Sequence, residues 1–255
     1  MFDTFTNRYM FSGTLTARTA LRIGGGRSTG ITGTDLPVVR DAIGKPFIPG
    51  SSLKGVLRST IESFVRGMNG KACNPLSNDD RCVPDAEDMS DDLIESKSCL
   101  VCQVFGSVWI ASKVKVRDLH VNESLWFGQF EVRNGVAIER DTETAADQKL
   151  YDFEVVPAGT QFGCELVIEN ASDWQMGLLE SGLRFLEMGE AEIGGGRSRG
   201  LGRVQIEWNK RNNIDASMLL DYLDGKDGAA VPITSVEVEK WRKALRAKLE
   251  ENPHA

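Results

Sequence analysis

The stretch of sequence that decides the fold runs from Ile48 to Arg58 and reads Ile-Pro-Gly-Ser-Ser-Leu-Lys-Gly-Val-Leu-Arg. Its apolar residues continue at helical spacing into the following turns, at Leu53, Val56, Leu57, Thr60, Ile61 and Phe64. This pattern predicts an amphipathic helix that ends at about Arg66, with either Ser51 or Ser52 capping its first turn. One face of the helix should therefore pack on a core.

The polar face of this predicted helix carries Ser51, Lys54 and Arg58 close to the N-terminus. Unpaired backbone N–H groups point the same way there, so the face suits a phosphate. Gly50 and Gly55 are small and would let a ligand approach. An ordinary solvent-exposed side of a helix is the alternative interpretation, and the small residues favour the phosphate.

A glycine loop and a single acid precede the predicted helix. The loop reads Ile-Gly-Gly-Gly-Arg-Ser from Ile23 to Ser28, follows Arg22, and can approach a phosphate closely. Asp35 lies in a glycine- and threonine-rich segment just before Pro37. A turn or a cap is the usual role of an aspartate in such a segment, and a catalytic role is the alternative.

The same hexapeptide returns at Ile193–Ser198, within a stretch from Gly189 to Val204 that holds six glycines and three arginines. Glycine leaves backbone N–H groups unshielded, so this stretch can wrap an RNA backbone. Arg203 would add charge to the main candidate contacts, which are Gly195, Gly196, Arg197 and Arg199. A Rossmann loop is excluded because the stretch leads into a strand and not into a helix. The alternative interpretation of this stretch is a mobile hairpin that binds no ligand.

The remaining pattern alternates strands and helices. Strands are predicted at 8–18, 113–119, 153–156, 164–168 and 203–208, and a second helix at 172–188 with a capping box. The order of elements matches a ferredoxin-like α+β unit with two long insertions. These insertions are a polar, acidic segment at 69–104 and an excursion at 125–153, with a hairpin turn at Asn134-Gly135. Two helices, at 215–223 and 236–249, form a predicted C-terminal extension at 211–255, beyond a domain at 1–210.

Four of the five cysteines lie in the first insertion with the spacing C-x8-C-x16-C-x2-C, at Cys73, Cys82, Cys99 and Cys102. Two thiolates two residues apart form half of a tetrahedral zinc site, and two further thiolates complete it. An all-cysteine site leaves no open position, so we expect structural zinc that stabilises this poorly apolar insertion. Four unrelated thiols are the alternative. Cys164 lies in a predicted strand and is expected to be buried.

Composition and charge narrow the class of protein. No run of about 18 apolar residues exists and the N-terminus lacks a signal pattern, so we expect a cytoplasmic protein without a membrane span. The net charge of −7 argues against nucleic acid, but eight Lys/Arg against three acids from Arg18 to Arg66 favour a local basic surface. The alternative interpretation is that these charges lie on ordinary solvent-exposed faces. With only two histidines, His120 and His254, a two-histidine ribonuclease mechanism is not expected.

These segments together resemble one known family. Residues 8–208 resemble the RAMP-superfamily backbone subunits of type III CRISPR–Cas effector complexes, the repeated crRNA-binding subunit of the Csm type and its relatives. The residues that carry the resemblance are Leu21–Gly25, Thr34–Asp41, Ile48–Arg58, Cys99–Ser107, the hairpin at Val136–Thr142 and the second glycine stretch. Leu36 departs from the pattern, since many relatives have a small polar residue there.

The resemblance implies a fold and a set of partners. The fold would be a ferredoxin-like, RRM-like core with a zinc-binding insertion, a protruding thumb hairpin and, in this chain, helices at the C-terminus. Copies of such a subunit stack along crRNA with other type III subunits, and each thumb splays a base of the guide–target duplex. In this chain the RNA contacts of the thumb would be Ile138, Arg140 and Thr142.

The resemblance also implies an activity. In active members an aspartate at the position of Asp35 cleaves the target RNA with a divalent cation such as Mg²⁺. A splayed nucleotide can bring its 2′-OH in line with the next phosphate, which makes cleavage specific to RNA. The alternatives are a crRNA-binding scaffold subunit without catalysis and a stand-alone crRNA-processing endoribonuclease, and the scarcity of histidine counts against the second of these.

Overall fold

The computed structural model of the protein describes residues 4–26 and 34–251, with the side chains of all of these except 146–149. The strands, in chain order, are β1 (Asn7–Ala17), β2 (Phe47–Ile48), β3 (Val114–Val116), β4 (Leu119–His120), β5 (Glu131–Ile138), β6 (Ala145–Val155), β7 (Gln161–Glu169), β8 (Ala191–Glu192), β9 (Arg203–Asp215) and β10 (Val231–Pro232). The helices are α1 (Gly50–Gly67), α2 (Asp91–Lys97), α3 (Leu100–Phe105), α4 (Asp173–Glu187), α5 (Leu219–Leu223) and α6 (Ser235–Glu251).

An antiparallel sheet with helices packed on it forms the body of the molecule, which confirms a mixed α+β protein. The sheet has the order β10-β9-β1-β7-β3, and β8 pairs with β9 off this path. Strand β1 lies between β7 and β9. Its side chains alternate between buried and partly exposed positions, and Phe11 and Leu15 are among the buried ones. This alternation is what a strand shows when one face of its sheet is covered and the other is not.

Helix α1 lies where the sequence predicts it, but neither serine caps it. Its buried stripe is Leu53, Leu57, Ile61 and Val65. The helix begins at Gly50, whose backbone N–H donates to the carboxylate of Asp118 at 2.7 Å. A Cβ atom at Gly50 would lie 2.3 Å from the carbonyl oxygen of Val116, so only glycine fits there. A tertiary contact with the β3–β4 connection, and not a local serine cap, therefore sets the start of this helix.

Helix α4 confirms the prediction from the capping pattern. The backbone N–H of Ser172 donates to Oε1 of Gln175 at 3.0 Å, which is one half of a capping box. Helices α1 and α4 approach each other closely at Gly182, where a Cβ atom would lie 2.7 Å from the side chain of Ile61. Cys164 is buried in β7, as predicted.

The hairpin of β5 and β6 corrects the predicted turn. Asn134 and Gly135 lie inside β5, where they pair with Asp152 and Tyr151 of β6. A Cβ atom at Gly135 would lie within 2.7 Å of three atoms of the Tyr151 side chain, so this glycine makes room for a ring. The chain reverses farther on, where the N–H of Glu139 donates to the carbonyl of Thr144. The Asn-Gly pair therefore serves cross-strand packing and not the predicted turn.

The C-terminal region also departs from its prediction at one point. Strand β9 continues through Asp215, and the predicted helix begins one residue later, as a 3-10 turn at Ala216–Met218 that leads into α5 at Leu219. The residues around Asp215 are held as a strand because they pair with Asn7 and Arg8 of β1. Helix α6 packs on α4 through Trp241 and Leu245, which are both buried. Strand β9 crosses residue 210, where we predict the boundary between the domain and the C-terminal extension. That boundary stays a prediction.

In the part of the chain that the structure describes, no helix combines the length and the apolar character needed to cross a membrane.

We predict that Gly177→Ala destabilises the protein by roughly 1–3 kcal/mol, because overpacking would separate α4 from α6. A Cβ atom at Gly177 would lie 2.3 Å from the carbonyl oxygen of Trp241. Urea unfolding followed by circular dichroism measures the change. Gly55→Ala is the matched control, since this helical glycine faces open space, and we expect it to stabilise by about 0.5–1 kcal/mol. Equal stability of the two variants would contradict the predicted packing.

Candidate functional site

The end of β6 holds the segment that carries Asp35. The backbone N–H of Asp35 donates to Oδ1 of Asp152 at 2.6 Å, and the backbone N–H of Asp152 donates to Oδ2 of Asp35 at 3.2 Å. The side chain of Asp35 nevertheless remains exposed to solvent. The carboxylate is therefore fixed in orientation while it remains accessible to a ligand.

The next residues of β6 extend this attachment. Glu154 donates its N–H to the carbonyl of Leu36 at 3.1 Å. Its Oε2 accepts from the N–H of Val38 at 3.2 Å and from the guanidinium of Arg40 at 2.7 Å. The guanidinium of Arg40 also lies 3.9 Å from the centre of the Phe130 ring. Segment 35–40 thus follows β6 closely, although it has no regular ladder of its own.

Arg22 lies between the hairpin and the second glycine stretch. Its guanidinium carbon is 5.2 Å from the centre of the Phe153 ring. Its carbonyl oxygen accepts from the N–H of Gly195 at 2.8 Å. Its buried Nε has no hydrogen-bond partner among the described residues. A partly buried guanidinium with such a donor is suited to binding an anion.

The two glycine hexapeptides meet in space. In the first copy, Gly25 donates its N–H to the carbonyl of Pro37 at 2.9 Å, beside the segment of Asp35. In the second, Gly194 approaches the carbonyl of Arg22 so closely that a Cβ atom would lie 2.2 Å from that oxygen. Residues 27 and 28 of the first copy lie outside the described residues. The structure therefore joins Arg22, Asp35 and Gly195 on neighbouring segments.

Arg197 faces helix α1 across a cleft of about 330 Å³. The cleft is lined on the helix side by Ser59, Thr60 and Ser63, among others, and on the opposite side by Arg197 together with Glu190 and Glu192. Arg199 is exposed beyond it. The second glycine stretch thus lies against the helix that carries the other predicted phosphate contacts.

The predicted contacts on α1 differ in their surroundings. Ser51 is exposed and Lys54 is half-buried. Burial, and then the neighbouring charge of Arg58, lower the pKa of Lys54. Arg58 points into the protein, where its donors bond to Glu62 at 2.8 Å, to the carbonyl of Gly106 at 2.9 Å and to Sγ of Cys102 at 3.4 Å. Of the three residues, Arg58 is the one directed toward the cysteines.

The tip of the hairpin carries the last group of predicted RNA contacts. Ile138, Arg140 and Thr142 are all exposed. The hydroxyl of Thr142 bonds to that of Thr144 at 2.8 Å. The tip lies at the far end of β5 and β6 from Asp152, so the structure connects it to Asp35 through strand β6 and not through direct contact.

Four cysteine sulfur atoms form one cluster, as the spacing predicts. The Sγ atoms of Cys73, Cys82, Cys99 and Cys102 all lie within 4.8 Å of one another. The distance from Cys73 to Cys102 is 3.5 Å and that from Cys73 to Cys99 is 3.7 Å. Sulfur atoms bound to one tetrahedral zinc ion at the usual bond length are about 3.8 Å apart, so the donor set fits this metal.

The pKa values of the thiols in the cluster also favour a bound cation. Burial raises the pKa of the Cys73 thiol to about 11. A hydrogen bond from Cys102 lowers the pKa of Cys99 to about 5. One thiolate therefore forms readily, whereas further buried thiolates need a compensating positive charge.

Sequence reasoning did not identify Asp152, Phe153 and Glu154, which hold Asp35 and Arg22 in place. The available signal was the spacing of Asp152 and Glu154 at the start of the predicted strand 153–156, because acids two residues apart share one face of a strand. Their partners lie more than 100 residues away along the chain, and no local pattern relates the two segments.

Fold and site together define an α+β protein in which an exposed acid, an arginine and a glycine loop adjoin a hairpin. The chain belongs to the RAMP superfamily, because the sequence pattern of this family matches residues 14–205. It is 28% identical over 232 residues to the CRISPR system Cms endoribonuclease Csm3 of Methanothermobacter thermautotrophicus, covering 80% of this chain and 85% of that protein.

Two further relatives have the same name. The protein of Mycobacterium tuberculosis is 30% identical over 238 residues, which cover 84% of this chain and 90% of the relative. The protein of Enterococcus italicus is 27% identical over 200 residues, which cover 76% and 87%. The similarity therefore extends over most of the length of these relatives.

We predict that Gly194→Ala destabilises the protein more than Gly200→Ala does. Both glycines have positive φ, +86° and +80°, so each substitution costs about 1–2 kcal/mol of backbone strain. Only at Gly194 would the new Cβ atom collide with the carbonyl of Arg22, which adds roughly 1–3 kcal/mol. Denaturant unfolding of both variants measures the difference. Equal losses would show that the close approach of the glycine loop to Arg22 does not stabilise the fold.

Proposed function

We propose that the protein is the crRNA-binding backbone subunit of a type III CRISPR interference complex and that it cleaves complementary target RNA at Asp35. The observation that carries this proposal is the position of Asp35, which is exposed yet fixed by the base of the hairpin. The family membership and the endoribonuclease names of the relatives support the same conclusion. Partners would be crRNA, target RNA, further copies of this chain and other subunits of the complex.

The fold supports the proposal through its strand order. Strands β1, β3, β7 and β9, with α1 after the first and α4 after the third, form the sheet order β9-β1-β7-β3. This is the order of a ferredoxin-like, RRM-like core, with each helix following one strand of the sheet. In this proposal β5 and β6 form the thumb, and their own two-stranded sheet and exposed residues suit that role.

The guide RNA would bind along one surface of this core. Arg22 and Lys54 supply charge, the N–H of Gly196 beside Gly195 can bind a phosphate oxygen, and Arg197 extends the surface beside α1. Ser51 and Arg199 are exposed and complete the surface. Arg58 is not part of this proposed interface, because its donors already bond to protein acceptors. Ile138, Arg140 and Thr142 at the hairpin tip would contact the splayed base.

Asp35 would act on the 2′-OH of a splayed nucleotide. A fixed carboxylate can accept the hydrogen of this hydroxyl and hold its oxygen in line with the adjacent phosphate. A carboxylate is a weak general base at neutral pH, so alignment contributes most of the effect. A divalent cation such as Mg²⁺ would be held by Asp35 together with RNA phosphate oxygens, since Mg²⁺ prefers one or two carboxylates plus phosphates. When bound, it would neutralise negative charge at the phosphate.

We predict that Asp35→Ala reduces single-turnover cleavage of a labelled complementary RNA by about 10²–10⁴-fold in the assembled complex with Mg²⁺. Binding of the target should stay unchanged, because base pairing with the guide provides the affinity. Glu207→Ala is the matched control, since Glu207 is an exposed acid on β9. Unreduced cleavage by Asp35→Ala would exclude a catalytic role. Undetectable cleavage by the wild-type complex with intact binding would favour the non-catalytic scaffold.

We further propose that the four-cysteine cluster binds structural zinc. Four sulfur ligands at tetrahedral spacing leave no open position for a substrate, so the ion would stabilise the fold and take no part in cleavage. Besides its part in the main core, the insertion contributes Val83, Ala86 and Ile94 to a small apolar cluster that Ile110 completes. Metal bonds would therefore supply much of the local stability.

We predict that the purified protein contains about one zinc ion per chain, because four thiolates complete one site. Cys102→Ala should lose the ion and unfold at lower temperature, whereas Cys164→Ala should keep it, since Cys164 lies apart in β7. Elemental analysis and thermal unfolding with and without a chelator measure both effects. Wild-type protein without zinc, or Cys102→Ala that keeps it, would disprove the site.

A further inference from the structure

We propose that Asp152 is a positioning residue that holds Asp35 in its cleaving orientation through a hydrogen-bond acceptor and not through its charge. The inference rests on the proposed function of Asp35. It assigns a role to an acid on the hairpin strand β6 that no sequence motif identifies.

The geometry of the pair carries the first step. Each aspartate donates its backbone N–H to the carboxylate of the other, at 2.6 Å and 3.2 Å. Two hydrogen bonds in opposite directions, each from a backbone N–H to a side-chain oxygen, fix both position and rotation. Asp152 therefore holds the backbone of Asp35, and its own backbone holds the Asp35 carboxylate.

The local chain explains why Asp35 needs this support. Asp35 lies in a bend outside any helix or strand, and Pro37 has no N–H to donate. The nearest regular contact of the segment is the bridge between Leu36 and Phe153. Without the carboxylate of Asp152, the N–H of Asp35 would have only water as a partner, and the bend could rotate.

Strand β6 connects the residue that supports Asp35 to the rest of the hairpin. The strand has 11 residues and spans roughly 35 Å at the usual rise per residue. Asp152 pairs with Asn134 across the hairpin, and Tyr151 packs over Gly135 beside it. Any movement of the hairpin base therefore moves Asp35 as well. The tip that would splay the target and the residue that supports the cleaving acid thus lie at the two ends of one strand.

An alternative role for Asp152 is direct, because a second carboxylate beside Asp35 could bind the divalent cation or repel the RNA. The two roles differ in what they require of the side chain. A positioning role needs only the acceptor oxygen, which asparagine also provides. A role at the cation needs the negative charge, which asparagine lacks.

The test compares Asp152→Ala and Asp152→Asn in the assembled complex with guide RNA and labelled target. We expect Asp152→Ala to lower the single-turnover cleavage rate by about ten- to 100-fold, since small misplacement of a reacting group costs this much. Asp152→Asn should cleave at close to the wild-type rate. Target binding and the Mg²⁺ concentration for half-maximal rate should be the same in both variants and the wild type.

Controls separate positioning from folding and from the parent proposal. Glu131→Ala and Glu131→Gln make matched changes to an exposed acid at the base of the same hairpin, and they should leave cleavage unchanged. Thermal unfolding identifies a variant that fails to fold. If Asp152→Ala fails to assemble, Asp152→Ser replaces it, since a serine side chain is too short to reach the N–H of Asp35.

Three results would overturn the inference, and each is recognisable. Wild-type cleavage by Asp152→Ala, with Asp35→Ala inactive, would show that Asp35 needs no support from Asp152. Equal loss in Asp152→Asn and Asp152→Ala, or a higher Mg²⁺ requirement in Asp152→Asn, would assign the charge a direct role. Wild-type cleavage by Asp35→Ala would overturn the proposed function, and the positioning role with it.

Discussion

Hydrogen bonding along the end of β6 is the constraint on which the candidate site depends. Residues 152–156, which are the end of the strand and the residue after it, hold two other parts of the chain. Asp152 and Glu154 hold the segment of Asp35, and Val156 exchanges two N–H···O bonds with Leu21, both at 2.8 Å. Phe153 lies under the guanidinium of Arg22. An irregular acidic segment and a basic segment thereby obtain the rigidity that functional side chains need, which loops alone rarely provide.

The glycine hexapeptides acquire a structural meaning from the same region. The two copies are far apart in sequence, and they lie next to each other because both flank the short run at Arg22. Gly194 is required where a backbone carbonyl leaves no room for a Cβ atom, and Gly25 faces the carbonyl of Val38 at the edge of van der Waals contact. The copies have unequal roles, because the first borders the segment of Asp35 and the second faces helix α1.

Helix α1 connects the proposed RNA surface to the cysteine cluster. Lys54 lies toward its beginning, and Arg58 one turn later bonds to Cys102, Glu62 and the end of α3. A basic residue on the polar face of a helix can therefore serve a buried cluster as readily as a ligand, and the sequence pattern is the same in both cases. The acceptors around the guanidinium, which are the carboxylate of Glu62, the carbonyl of Gly106 and the sulfur of Cys102, and not the helical spacing, determine which way it points.

The sequence by itself determined the class of fold, helices α1 and α4, the central strands and the group of four cysteines. These features follow from short-range periodicity, capping chemistry and ligand type, all of which are local. Only the tertiary structure decided where α1 begins, that Asn134-Gly135 lies inside a strand, that β9 continues through Asp215, and that Asp152 adjoins Asp35. Each of these depends on a partner distant in the chain, such as the carboxylate of Asp118 or the ring of Tyr151. The energies of such contacts exceed local preference, and no local pattern encodes them.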